Sequence, residues 1–273
     1  MKRKTIVMCL AILIIGLVSY GFIPLVAEKL TVQRRYATAV QYYESGHYEQ
    51  AAQYFYLCPD YKDSSEYIRK MENAQYQKMI DEYHSLEKGG KSIDLIELLK
   101  GIETSMNGIQ LTEYLKSYGF HNFGTNLGFS WQDQESPNVY LFGLRINKIN
   151  SQSSESWDMK RIDFSGIDFL LSEEQWVFIR DKMMETYGEP LQHYHTSSVR
   201  AKTPADLVMD DIEILKWKNM ALFFQCPERK YAYQKAGLLN RLRMSSVYFF
   251  SPSIRVVVGT EESISELWAQ TEE

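Results

Sequence analysis

Apolar positions along this chain fall into three regimes. From Thr5 to Ala27 they form one uncharged run, TIVMCLAILIIGLVSYGFIPLVA. From Thr31 to about Leu115 they recur at the spacing of a helix face. Past Gly108, Gly119, Gly124 and Gly128 they begin to alternate, as strands do. The regimes predict an N-terminal transmembrane helix, an α-helical hairpin domain, and an α+β domain with a mainly antiparallel sheet. The expected boundaries are 1–29, 30–118 and 119–273.

As a helix the first run spans about 34 Å, enough for a hydrocarbon core about 30 Å thick. Lys2, Arg3 and Lys4 lead it. Leading cations predict the N-terminus inside and the body outside the cytoplasm, on a single-pass anchor. Ser19-Tyr20-Gly21 offers an alternative, cleavage of a signal peptide after Gly21. The apolar run continues through Phe22 to Val26, which favours the uncleaved anchor. Cys9 follows Ile6-Val7-Met8 and so lacks the small residues expected before a lipidated cysteine.

In the second regime Val32, Tyr36, Ala39, Val40 and Tyr43 share a helix face, and Gly46 suits the left-handed end of that helix. A second helix carries Tyr48, Ala51, Ala52, Phe55 and Tyr56. Small Ala39 and Ala51 let the two helices approach closely. Cys58-Pro59 stops the pattern, and Asp63 with Glu66 predicts a capping box for a helix from Ser64 to about Lys88. Gly89-Gly90 breaks that helix, and Ile93, Leu95, Ile96, Leu98, Leu99 and Ile102 predict another, as a degenerate second repeat. Tyr42, Tyr43, Phe55 and Tyr56 are the expected lining of a partner-binding groove, part of which must also be core.

The positions of Ala39, Tyr42, Gly46, Tyr48, Ala51 and Phe55 give this stretch its family likeness: it resembles a tetratricopeptide unit. Asp60-Tyr61-Lys62-Asp63-Ser64 is similar to the DYKDS turn of such hairpins in surface and regulatory proteins of Gram-positive bacteria. Arg35 stands where the family has a tryptophan-like position, and Pro59 comes early. The likeness covers about 45 residues and implies a helical hairpin.

In the third regime Tyr140, Phe142, Leu144 and Ile146 predict one strand. Further strands are expected over 161–164, 166–170, 212–217, 221–226, 247–250 and 254–258. Ser172 and Gln175 predict a capping box, Trp176, Ile179, Met183 and Tyr187 one helix face, and Gly188-Glu189-Pro190 its stop.

Composition and charge narrow the function. Net charge is −5, and about −8 once the three leading cations are set aside. A net-acidic body argues against general nucleic-acid binding, which needs clustered cations. The local exception is Arg229, Lys230, Lys235, Arg241 and Arg243, interleaved with Tyr231 and Tyr233. This run could meet a polyanion, wall polymer or lipid headgroup, or simply be the wet face of an amphipathic helix. His193-Tyr194-His195 with Asp210 or Asp211 could form a metal site, although a solvated loop is the plainer expectation. Asp206, Asp210, Asp211 and Glu213 read as a solvated turn, lacking the spacing of a calcium loop. Cys58 and Cys226 could bridge the two domains or be two small buried side chains. No phosphate-cradling loop, nucleophile elbow, zinc helix or paired CxxC is present in the sequence, so no cofactor or metal and no catalytic residue is expected. The leading expectation is a membrane-anchored, extracytoplasmic protein-interaction protein, a scaffold or adaptor. A ligand-sensing or wall-polymer-binding domain is the alternative, and an unrecognised hydrolase a remote one.

Overall fold

The computed structural model describes residues 26–86, 92–120, 128–130, 137–146, 148–152, 161–167, 170–201, 207–227 and 252–272. Contacts divide the chain into two compact units. One holds 1–69, 199–209 and 228–250; the other holds 70–198, 210–227 and 251–273.

In the first unit the hairpin forms as its spacing requires. Helix α1 (26–44) ends ahead of Gly46, whose φ of +79° is open to glycine without strain. The N–H groups of Gly46 and His47 donate to Tyr43 and Tyr42 carbonyls and close the turn. Helix α2 (Tyr48–Phe55) then lays Ala51, Ala52 and Phe55 against Ala39, all fully buried. The Phe55 ring stacks on Tyr67 at 4.8 Å and meets Tyr36 edge-on at 5.9 Å. Arg35 is buried as well, and donates from Nη1 to the Leu57 carbonyl just past α2 (3.4 Å). Helix α3 (Ser64–Leu86) restarts where expected. The Asp63 carbonyl accepts from Glu66 and Tyr67, and its carboxylate takes the Tyr36 hydroxyl at 2.5 Å. That bond, then burial and the Asp63 charge, raises the Tyr36 hydroxyl well above its ordinary range.

The second unit begins at Lys70, within α3. The expected boundary at 118/119 is not where the contacts divide. The stretch read as a degenerate repeat starts instead as strand β1 (Ile93–Asp94), which pairs parallel with β3 (Val139–Leu141). Asp94 then caps the short helix α4 (Leu95–Lys100), its Oδ1 accepting from Ile96 N–H at 3.0 Å. Helix α5 (Gly108–Ser117) opens on a capping box of Asn107 and Gln110. Leu95, Leu98, Leu99, Leu111 and Leu115 of these helices join the core that the sheet builds, which draws them into this unit.

The single strand expected over 140–146 is a hairpin. β3 turns through Phe142 and Gly143, at φ +48° and +86°, into β4 (Leu144–Ile146), with Leu141 opposite Leu144. Two left-handed residues in a two-residue turn match the twist of the flanking strands. β1, β3 and β4 make one small sheet.

The larger sheet has seven strands in the order β2-β5-β6-β10-β9-β8-β7. They are β2 (Gly128–Ser130), β5 (Lys148–Gln152), β6 (Arg161–Ile167), β7 (Gln192–Ala201), β8 (Leu207–Lys216), β9 (Met220–Pro227) and β10 (Ser253–Gly259). The pairs from β2 through β8 in that order are antiparallel. The two strands expected over 161–170 are one, and the expected loop at 193–195 lies in β7. Asp210, Asp211 and Glu213 lie in β8, not in a turn.

Alternation sorts the faces. Ile162, Phe164, Leu222, Phe224, Ile254 and Val256 point to the main core with Trp176, Ile179 and Met183 of α6 (Glu173–Tyr187). Trp176 lies flat on Phe224 at 4.6 Å. The capping box of Ser172 and Gln175 holds the α6 start, as expected. On the other face Ala221 and Val257 pack with Ile264 and Leu267 of α7 (Glu261–Glu272). That face also carries Asp163, with Arg161 and Arg255. Arg161 Nε is 3.3 Å from Asp163 Oδ1, yet both atoms lie off any hydrogen-bond direction. Burial raises the Asp163 carboxyl more than the two guanidiniums lower it.

No helix among the described residues is long and apolar enough to cross a membrane. The predicted transmembrane run lies outside them except for Val26 and Ala27, as does the strand expected over 247–250.

Candidate functional site

Among the described residues the second unit holds an open cavity of about 440 Å³. That volume falls within the usual range for ligand sites. Its walls come from four short stretches. Helix α6 ends at Gly188, whose φ of +77° reverses the chain while its N–H still reaches the Met184 carbonyl. Tyr187 and Glu189 flank that reversal, and Leu191 follows. The Leu191 N–H donates to the Lys216 carbonyl (2.7 Å) and starts the β7 side. Opposite, Trp217 N–H donates to the Met220 carbonyl (2.8 Å) and closes the tight β8–β9 turn at Lys218-Asn219. Leu99 of α4 and Val258 of β10 complete the lining.

Trp217 ties these walls together. Its Nε1 donates to the Gly188 carbonyl (2.9 Å), and its ring lies 6.3 Å from that of Tyr187. Burial raises the Tyr187 hydroxyl above its ordinary value, and the charges of Asp94 and Glu97 add to the shift. Leu191 is 69% exposed, the most exposed of the large apolar side chains described. The charged lining residues are Glu189 and Lys218, both open to solvent. The cleft is mainly apolar with an aromatic wall, and its charged residues stand at solvent-exposed positions.

The residues expected to bind a partner do not share one surface. Phe55 is fully buried and Tyr56 nearly so, because both build the hairpin core. Tyr42 and Tyr43 are half-buried; Tyr42 stacks on Tyr54 at 5.7 Å, and Tyr43 meets Tyr48 and Tyr67. Arg229, Lys230, Lys235, Arg241 and Arg243 lie outside the described residues, as does Asp206. Cys58 is a free, buried thiol, its Sγ donating to the Tyr54 carbonyl, so it forms no bridge to Cys226. Burial pushes that thiol up to about 11.

His193 bonds Glu213 (2.9 Å). Trp176 Nε1 donates to the same carboxylate, and Arg180 Nη1 lies 3.7 Å from it. This cluster pins α6 to the sheet. Among the described residues no group of three or more His, Cys, Asp or Glu is placed to hold a metal ion.

Sequence reasoning missed the cavity. Gly188-Glu189-Pro190 reads as a stop, and Trp217 as a strand end. The one available signal is Leu191, an apolar residue stranded after a proline and outside the α6 face. Compared with protein-family models, curated proteins and solved structures, the chain matches none.

Proposed function

We propose that this chain is a membrane-tethered binding protein. An N-terminal anchor holds the body outside the cytoplasm, a tetratricopeptide-like hairpin follows, and the second unit takes up a partner protein. The cavity walled by Tyr187, Leu191 and Trp217 carries this reading. A preformed cavity of this size, lined mainly by apolar side chains with a few polar groups, is the default candidate for a binding site, and Leu191 lies exposed in its wall. The uncharged run from Thr5 to Ala27, led by three cations, supports the tether. Phe55 and Tyr56 are the part of the expected groove that is core, which leaves Tyr42 and Tyr43 as its accessible part.

The test is photocross-linking in living cells. A benzophenone amino acid replaces Leu191 in the full chain, and Ile109, exposed on α5 and outside the cavity lining, serves as the control position. The expected result is one discrete adduct with a second protein from position 191 and none from 109. No adduct from 191, or the same adducts from both positions, would sink the proposal.

A further inference from the structure

Charge around the cavity is uneven. Leu99, Trp217, Met220 and Val258 in its walls are buried, while Tyr187 is the aromatic wall residue that solvent still reaches, at 36% exposure. Two ammonium groups stand near, and each is matched by a carboxylate. Lys218 of the lining lies 4.0 Å from Glu261 of α7, and Lys100 of α4 is bonded to Glu97. Glu189 of the lining and Asp94 at the head of α4 form no ion pair among the described residues. Asp94 caps α4 through one oxygen, Oδ1. Asp94 and Glu97 lie close enough to Tyr187 for their charges to add to the effect of burial in raising its hydroxyl. Surplus carboxylates beside an aromatic ring attract a cation, and apolar walls take up hydrocarbon. Together they suit an organic cation.

We infer that the partner protein seats a basic side chain, arginine or lysine, in this cavity, its methylene stem along Leu99, Leu191 and Met220 and its cation against the Tyr187 ring and the Glu189 carboxylate. This rests on the binding reading above and names the residue type that the partner inserts. Long basic side chains suit such a place, because the stem buries on apolar surface while the head stays with the opposite charges. An acidic side chain would meet the surplus carboxylates, and a neutral one would gain nothing from them. The cavity of about 440 Å³ has the room of about 15 waters, more than one side chain fills. An apolar neighbour of the basic residue therefore enters with it and covers Leu191.

The probe is a set of dye-labelled nonapeptides with Arg, Lys, citrulline, norleucine or Glu at the centre and Leu on either side. Citrulline and norleucine keep the stems of Arg and Lys without the charge. Binding to the full chain in phosphatidylcholine nanodiscs is read by fluorescence anisotropy, with empty discs as the blank. The Arg and Lys peptides are expected to bind ~10-fold tighter than the two neutral ones. Glu189→Gln should weaken the cationic peptides ~3-fold and leave the neutral ones unchanged. Asp94→Asn keeps a side-chain cap on α4 while removing its charge, and should weaken the cationic peptides as well. An unchanged urea midpoint shows that each variant is folded. Equal binding by charged and neutral peptides overturns the inference, and so does tightest binding by the Glu peptide or a set with no binder. Glu189→Gln and Asp94→Asn that both leave the cationic peptides unaffected overturn it too. Cross-linking from position 191 can succeed in each of these cases, which separates this failure from failure of the binding reading.

Discussion

Cys58 and Asp163 are titratable side chains held away from water, and burial favours the neutral form of each. For Cys58 the burial effect outweighs both the hydrogen bond to Ser64 and the charge of Arg35, which pull the other way. Its folded-state value, about 11, lies above the 9.0 of an open thiol. A group raised on folding contributes stability below its unfolded value and loses it as pH climbs through the folded one. Unfolding free energy should therefore fall between about pH 9 and 11. Tyr36, raised first by its bond to Asp63, acts in the same direction, so comparison with Cys58→Ala isolates the thiol. In a Cys9→Ser, Cys226→Ser chain, Cys58 should resist iodoacetamide near pH 8 in native buffer and react readily in urea. Ready alkylation of the folded chain would refute the buried thiol. The cysteine itself was plain in the sequence. Its isolation was not, because the Ser64 hydroxyl meets its sulfur only after the chain turns at Pro59.

Two turns show how much of an element the sequence discloses. Gly46 and Gly143 are both left-handed, at φ +79° and +86°. The turn at Gly46 was legible, because glycine there interrupts a helical period with polar neighbours. The turn at Gly143 was not, because Phe142 is buried and continues the apolar alternation straight through the hairpin. The surroundings differ as well. A Cβ on Gly46 meets nothing within 4 Å, whereas one on Gly143 lies 1.9 Å from the Met79 carbonyl oxygen of α3. Gly46→Ala should cost about 1–2 kcal/mol, the strain of a left-handed residue alone. Gly143→Ala should cost more than ~3 kcal/mol, since the hairpin must also leave the helix backbone. Urea unfolding of the two variants decides it, and equal losses would mean that the α3 contact is not tight. The same blindness hid β1. Ile93 and Asp94 pair with Val139 and Tyr140, a partner far along the chain that no local period can announce. Helix α6 was read correctly because its signals, Ser172, Gln175 and Gly188, are all local.

At the scale of the whole molecule, periodicity told helix from strand but not which core a helix joins. Helices α4 and α5 show the same apolar stripe whether they pack on a hairpin or under a sheet, so the division at Arg69 and Lys70 could not be read in advance. The cavity was hidden for a related reason: its walls are four segments that only the fold assembles. Charge distribution, by contrast, is a property of the sequence at this scale. Three cations precede the apolar run, and the remainder of the chain is acidic. Cations near the end of a span are retained on the cytoplasmic side, while acidic residues have little say in orientation, so the leading cations should set the topology. The prediction is made for a chain with its three cysteines replaced and a single new one at Glu185→Cys, on the solvent-facing side of α6, where the native side chain is 70% exposed. A membrane-impermeant maleimide should label it in intact protoplasts as fully as in lysed ones. Changing Lys2, Arg3 and Lys4 together to Gln should lower the intact-cell labelling and leave the lysed-cell labelling unchanged, because orientation and not folding has been disturbed. Labelling that appears only after lysis of the unaltered chain would place the body in the cytoplasm and overturn the predicted orientation.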